Sequence, residues 1–335
     1  MHVPCRAVGP ATRSKEGTDV VTAVVVLLLG VVLTGVAAPR VLCGLERTSI
    51  SPSTLLWLWW SVVVGSGVGG AAALAVLVMP SHDRLGPLTG FLAGCWAVLG
   101  GSRHSDAAAG LVAGLVIGAV VTRGVWKAGR SVRAARLRSR TTLRLLAPAG
   151  RWERDVLWLE YPDALAFSLG GPDRAVVMSN RVGELLSPSE VDAVVAHERA
   201  HLAGRHHLQV LVADALASAA PMVPLYRQAP GAIRRLIELA ADDEAARQAG
   251  APVVHRALLR IAVQGGGAPP AAALGASGSS GSPIEGRLDR LAHPNGPRPR
   301  LLRLGERVVL VATGLTAPLS AGVGLSALLF AISCA

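Results

Sequence analysis

Hydrophobic and polar positions divide this chain into two kinds of sequence. Four runs carry no charge at all: 20–38 (VVTAVVVLLLGVVLTGVAA), 54–79 (TLLWLWWSVVVGSGVGGAAALAVLVM), 107–122 (AAAGLVAGLVIGAVVT) and 308–332 (VVLVATGLTAPLSAGVGLSALLFAI). A bilayer core takes about 20 mostly apolar helical residues, so each run is read as a membrane-spanning helix. Trp57, Trp59 and Trp60 open the second run and Trp126 follows the third, where amphipathic rings suit the headgroup boundary. A further apolar stretch, 87–101, is short for a crossing and is left open between a span and an interfacial segment. Gly65 and Gly69 in the second run, and Gly110, Gly114 and Gly118 in the third, recur every four residues. That spacing either lets helices approach closely or simply reflects glycine-rich spans.

The middle of the chain follows other periods. VLWLEY, ALAFSLG and AVVMS, with Gly170, Gly171, Pro172 and Asp173 between the last two, predict short strands and a hairpin. Ser187-Pro-Ser-Glu190 then places a capping serine, a proline at the first helical position and a glutamate able to fold back on the cap, so a helix starts at Pro188. Val191, Val194, Val195 and Leu202 keep helical spacing. Leu208, Leu211, Val212 and Leu216 extend it, predicting one helix to Pro221 with Gly204 as a mild interruption. A second helical stretch covers 232–248. Residues 264–283 (QGGGAPPAAALGASGSSGSP) have neither charge nor period and read as a disordered linker.

Composition sharpens this division. At 51% hydrophobic and 16% charged, the chain is too apolar for a wholly soluble protein, in which about 25% is charged. The net charge of +11 could signal nucleic acid, but its distribution argues otherwise. Arg123, Lys127, Arg130, Arg133, Arg136, Arg138, Arg140 and Arg144 follow the third run, and Arg287, Arg290, Arg298, Arg300, Arg303 and Arg307 precede the last. Positive charge at span ends marks the cytoplasmic side, so the region between these flanks is expected in the cytoplasm. Within 145–260 there are twelve Arg, no Lys and fourteen Asp plus Glu, which removes the basic face that nucleic acid needs. The expected partners are the lipid bilayer and a protein or peptide, with no nucleic acid. Cys5, Cys43, Cys95 and Cys334 lie far apart, giving neither a disulfide framework nor a paired-cysteine metal site. The expected organisation is a membrane region (1–126), a basic juxtamembrane segment (127–144), a central domain (145–263), the linker (264–283), a second basic segment (284–307) and a final span (308–332).

The helix from Pro188 contains His197-Glu198-Arg199-Ala200-His201. Histidines four residues apart stand one above the other on a helix face and can converge on one ion, with Glu198 at the edge of that face. A catalytic Zn²⁺ needs three protein ligands and an open position for water. Glu238, on the second helical stretch, supplies the third ligand. Asp242, one turn further, can accept a hydrogen bond from the free N–H of a ligand histidine. Measured from His201 round an unbroken helix, His206 and His207 point about 140° and 240° away, so neither is a ligand. Asp243 and Glu244 are expected in solvent, and His255 on the surface or in packing. Arg205, His206 and Arg234 are the available guesses for a group that stabilises an oxyanion.

These residues resemble a known group. HERAH with His206 downstream, together with Glu238-Leu-Ala-Ala-Asp242, is similar to the HExxHxxxxH and ExxAD signatures of the membrane-embedded gluzincin peptidases, the HtpX and CAAX prenyl endopeptidase family. It resembles equally the peptidase domain of the BlaR/MecR beta-lactam sensor-transducers, over about residues 145–305. The resemblance implies a mainly α, multi-span helical membrane protein with an α+β, zincin-like cytoplasmic metallopeptidase domain, built from a small β-hairpin or sheet and the HExxH helix. It implies one zinc per chain on His197, His201 and Glu238, with Glu198 as catalytic acid/base. It further implies that a substrate strand is received by Ala166, Phe167, Ser168 and Leu169 of the hairpin. The chain stops as the last run ends, so the extracellular sensor domain of the beta-lactam receptors is not expected, and the CAAX enzymes have more spans.

The function expected is hydrolysis of peptide bonds in a protein at the cytoplasmic face of the cell membrane. Two other readings fit the same residues. One is a signal transducer whose peptidase cuts only itself or a dedicated cytoplasmic repressor; the other is a non-catalytic membrane scaffold.

Overall fold

The computed structural model describes residues 11–48, 50–78, 103–171, 173–264, 284–293 and 300–333. The open stretch 87–101 and nearly all of the 264–283 linker lie outside the described residues. The chain divides into two units, 1–38 with 61–122 and 312–335, and 39–60 with 123–311.

Among the described residues, three long helices precede the sheet: α1 (Ala11–Leu45), α2 (Pro52–Val78) and α3 (Arg103–Leu146). Helix α10 (Arg300–Ser333) closes the chain. Among the described residues, three segments are long and apolar enough to cross a membrane: Val26–Leu45, Pro52–Ala73 and Leu304–Gly324. They correspond to the first, second and fourth sequence runs, each displaced by a few residues. The third run falls on α3, whose side chains up to residue 117 lie outside the described residues. Helix α3 continues without a break through the basic segment, so 127–144 is helical.

Within the first unit, small residues are where helix backbones meet. A Cβ at Gly65 would come 2.7 Å from the Leu315 carbonyl oxygen, and one at Gly30 would overlap the carbonyl of Pro318. Of the glycine series read from the sequence, Gly65 is used in this way, Gly69 meets only side chains (Val31 at 3.2 Å), and Gly118 faces open space. Close backbone approach of this kind is how helices gain packing contact where lipid offers no hydrophobic drive.

The second unit holds a four-stranded mixed sheet in the order β1-β2-β4-β3. Its strands are β1 (Gly150–Glu153), β2 (Val156–Leu159), β3 (Ala166–Leu169) and β4 (Ala175–Ser179). The expected hairpin is β3–β4, antiparallel with Phe167 opposite Val177. Strand β2 runs parallel to β4, and β1 pairs antiparallel with β2. Sequence reading missed β1 because GRWE is short, largely polar and mostly exposed. Strand β4 is buried along its whole length, which explains its uninterrupted AVVM. On one face Val156, Val176 and Met178 pack with Val182, Val195 and Leu202. On the other Leu157, Phe167, Leu169 and Val177 pack with Leu143 and Leu146 from the end of α3.

Six helices complete the unit: α4 (Asn180–Leu185), α5 (Pro188–Ala203), α6 (His206–Ala219), α7 (Pro224–Ala249), α8 (Ala251–Gln264) and α9 (Ile284–Ala292). Helix α5 starts where the capping pattern places it. The Glu190 carboxylate accepts hydrogen bonds from the Ser187 N–H and hydroxyl, both at 2.9 Å. It is then sealed by Arg260 at 3.0 Å, leaving Glu190 1% exposed.

The single helix expected from Pro188 to Pro221 is corrected to two. Arg205 adopts the left-handed conformation (φ 49°, ψ 39°) and ends α5, and α6 begins at His206. Glycine is a poor helix former, and a Cβ at Gly204 would overlap the His206 ring, so Gly204 is the point at which the helix gives way. Helix α7 starts at Pro224, ahead of the expected 232, and α5 packs along it. Helix α9, unforeseen inside the basic segment, packs on α8 and α7.

Candidate active site

The HERAH segment lies in the middle of α5, where α7 packs against it and β3 runs beside it. His197 and His201 project from the same face, their Nε2 atoms 3.1 Å apart. Glu238, from α7, places Oε2 3.7 Å from His197 Nε2 and Oε1 3.7 Å from His201 Nε2. Ligand atoms of these three residues all lie within 4.8 Å of one another. Two imidazoles and one carboxylate are the donor set of a catalytic zinc, so the residues present fit that ion.

Each histidine is held from behind. His197 Nδ1 meets Asp242 Oδ1 at 3.0 Å, and His201 Nδ1 meets His206 Nδ1 at 3.0 Å. His206, 6% exposed, is therefore outside the ligand set but directly against it. The rotation that points it away from the ion holds only for an unbroken helix. The corner at Gly204–Arg205 swings it behind His201 instead.

Arg287 of α9 is the other residue that sequence reading missed. Its Nη1 lies 3.1 Å from Glu238 Oε2, and its Nε and Nη2 bind the two oxygens of Asp242, both at 2.7 Å. Read in the sequence as juxtamembrane charge, it instead bridges the two carboxylates that shape the site. Asp243 is likewise not free in solvent, since Arg290 pairs with it at 3.4 Å. Glu244 is paired with Arg247.

Charge explains why these groups suit one another. Three carboxyl groups, Glu198, Glu238 and Asp242, face one arginine, and either a proton on His197 or a divalent cation offsets the remaining negative charge. Burial opposes charge on His197, but the hydrogen bonds it donates to Asp242 and Glu238 outweigh it and push the imidazole up to about 10. Burial takes His201 down to about 4, against the pull of Glu238. Glu238 is held below the usual carboxylate range: burial works against ionisation, and His201, His197 and Arg287 overcome it. Burial raises the carboxyl of Glu198, which also hydrogen-bonds Ser168 on β3.

The site opens into a cavity of about 290 Å³ that is apolar away from the ligands, with Leu165, Val182, Val194, Val254, Leu258 and Ile261 on its walls. Ala166 and Phe167 of β3 also line it. Strand β3 is an outer strand, paired with β4 on one side only among the described residues. Ser168 and Leu169 of the same strand are buried, Ser168 against Glu198. Of the oxyanion guesses, Arg234 is engaged by Asp214 at 2.7 Å, Arg205 lines a different cavity, and His206 stands behind His201.

Residues 133–236 match the model of Peptidase family M48. No curated protein and no solved structure is matched. The family match covers the sheet, α5 and α6 but ends two residues short of Glu238, so Glu238, Asp242 and Arg287 enter the site on geometry alone. Together, the match and the His₂Glu cluster support a zincin-type metallopeptidase, a hydrolase.

Proposed function

We propose that this chain is a membrane-bound, zinc-dependent endopeptidase that hydrolyses peptide bonds of a protein at the cytoplasmic face of the membrane. The observation that carries this reading is the convergence of His197, His201 and Glu238, with both histidines anchored through their second nitrogen. Zinc, when bound there, activates water near neutral pH and polarises the scissile carbonyl.

The chain's own residues supply the rest. Glu198, half-buried beside His197 and Glu238, takes a proton from the attacking water and later delivers it to the leaving amine. Its hydrogen bond with Ser168 ties the carboxyl to β3. A substrate added as an extended strand to the free side of β3 would lie beside Glu198, with backbone pairing that tolerates varied side chains. Asp242 fixes the tautomer of His197, and Arg287 holds one oxygen of Glu238, leaving Oε1 directed at His201. The membrane placement rests on the three candidate spans, and the cytoplasmic side on the basic residues flanking the domain.

Membrane-fraction proteomics of cells carrying wild type or Glu198→Gln tests this reading. The expected result is at least one membrane-associated protein that accumulates uncut in the variant. Identical profiles would contradict it.

A further inference from the structure

A second cavity, of about 300 Å³, lies away from the metal cluster. Three arginines from three separate parts of the unit line it: Arg136 of α3, Arg174 of the β3–β4 turn and Arg205 of the α5–α6 corner. His207 and the backbone of Gly170 and Gly171 complete the polar wall, and no acidic residue takes part.

Several arginines of this unit are matched with carboxylates. Arg199 pairs with Asp155, Arg234 with Asp214, Arg235 with Glu46, and Arg256 and Arg260 with Glu190. Among the described residues, none of the three cavity arginines has such a partner. The nearest acid in sequence, Asp173, is taken by Arg140 at 3.5 Å. Three exposed guanidiniums gathered round one cavity with no acid among them make an anion the complementary occupant.

The cavity is also built rather than incidental. The His207 ring packs so tightly on Gly170 that any Cβ there would overlap it, which fixes the imidazole. Burial and then the three arginines push His207 down, so it stays a neutral donor or acceptor. Arg205 holds its place in a left-handed conformation (φ 49°) that side-chain-bearing residues adopt only with strain. Planar guanidiniums match the paired oxygens of phosphate.

We propose that this cavity binds a phosphate group, carried either by a small soluble anion or by an anionic lipid headgroup. The site is independent of the peptidase chemistry. A lipid source is at hand in a chain with membrane-crossing helices, and a free anion has the same chemistry.

The test uses the full chain in detergent for inorganic phosphate, by titration calorimetry. The same chain in nanodiscs of phosphatidylcholine, with or without phosphatidylglycerol, tests the lipid, by native mass spectrometry of retained lipid. The variant is Arg174→Gln with Arg205→Gly; glycine takes the left-handed conformation freely, so the corner is kept. Arg151→Gln with Arg227→Gln removes the same charge outside the cavity. The expected result is saturable binding in one arm, weakened at least tenfold by the cavity variant and unchanged by the control, with zinc content equal in all three. Binding in the calorimetric arm identifies a soluble anion, and binding in the nanodisc arm alone identifies lipid. Equal binding by both variants, or no saturable binding in either arm, would overturn the proposal.

Discussion

His197 and His201 are oriented by different chemistry, and that difference can be measured. Asp242 offers His197 a charged acceptor at 3.0 Å. His206 offers His201 a neutral one: with Nε2 of His201 turned to the cluster, its Nδ1 carries the proton and donates to Nδ1 of His206. Burial pushes His206 down to about 3, so it remains an acceptor throughout the physiological range. Replacing such a supporting group typically weakens metal affinity about 10- to 100-fold. Asp242→Asn and His206→Ala are both expected to do so in a zinc competition titration; unchanged affinity in either would remove that residue from the site. Arg287→Gln strips the shared cation from two buried carboxylates and is expected to cost about 3–5 kcal/mol of stability in chemical denaturation. A loss below 1 kcal/mol would place Arg287 outside the supporting set. The candidate ligand residues were legible because a helix repeats every 3.6 residues and the signal is local, i to i+4, at both His197/His201 and Glu238/Asp242. His206 was hidden by a helix break, and Arg287 because it reaches Asp242 from 45 residues away.

At the level of elements, α5 depends on Glu190. Burial works against its charge, but Ser187, Arg260 and Arg256 hold the carboxyl below its ordinary value of 4.5. A folded-state value below the unfolded one contributes stability that is present above about pH 4.5 and lost as pH falls through the depressed value. Glu190→Gln is expected to reduce stability at neutral pH by about 1–3 kcal/mol and to flatten the acid limb of stability against pH. Curves that stay parallel for variant and wild type would rule this out. The cap and the β3–β4 hairpin were readable since proline, serine and glycine act locally on the backbone. The break at Gly204–Arg205 was not, because arginine in a left-handed conformation contradicts its own preference and is imposed by packing. Helix α9 was obscured by its charges, which also fit a membrane flank.

The whole molecule combines long apolar helices with a compact α+β unit, and its charge lies mostly between the two in sequence. That arrangement predicts a cytoplasmic peptidase unit. A single cysteine placed at exposed Ser189 in a cysteine-free background should react with an impermeant maleimide only after the cells are opened. Labelling of intact cells would reverse the topology. Composition alone indicated a membrane protein, whereas the pairing of arginines with acids inside the second unit became visible only in three dimensions. The most direct test of the central claim is a cleavage assay on the purified full-length chain with zinc quantified alongside. Wild type and Glu198→Gln should each hold one zinc, and only wild type should cleave an unfolded casein-like or membrane-protein substrate, the variant falling by about 100-fold or more. Zinc-loaded wild type without activity, or a Glu198→Gln variant that cleaves at the wild-type rate, would contradict the account.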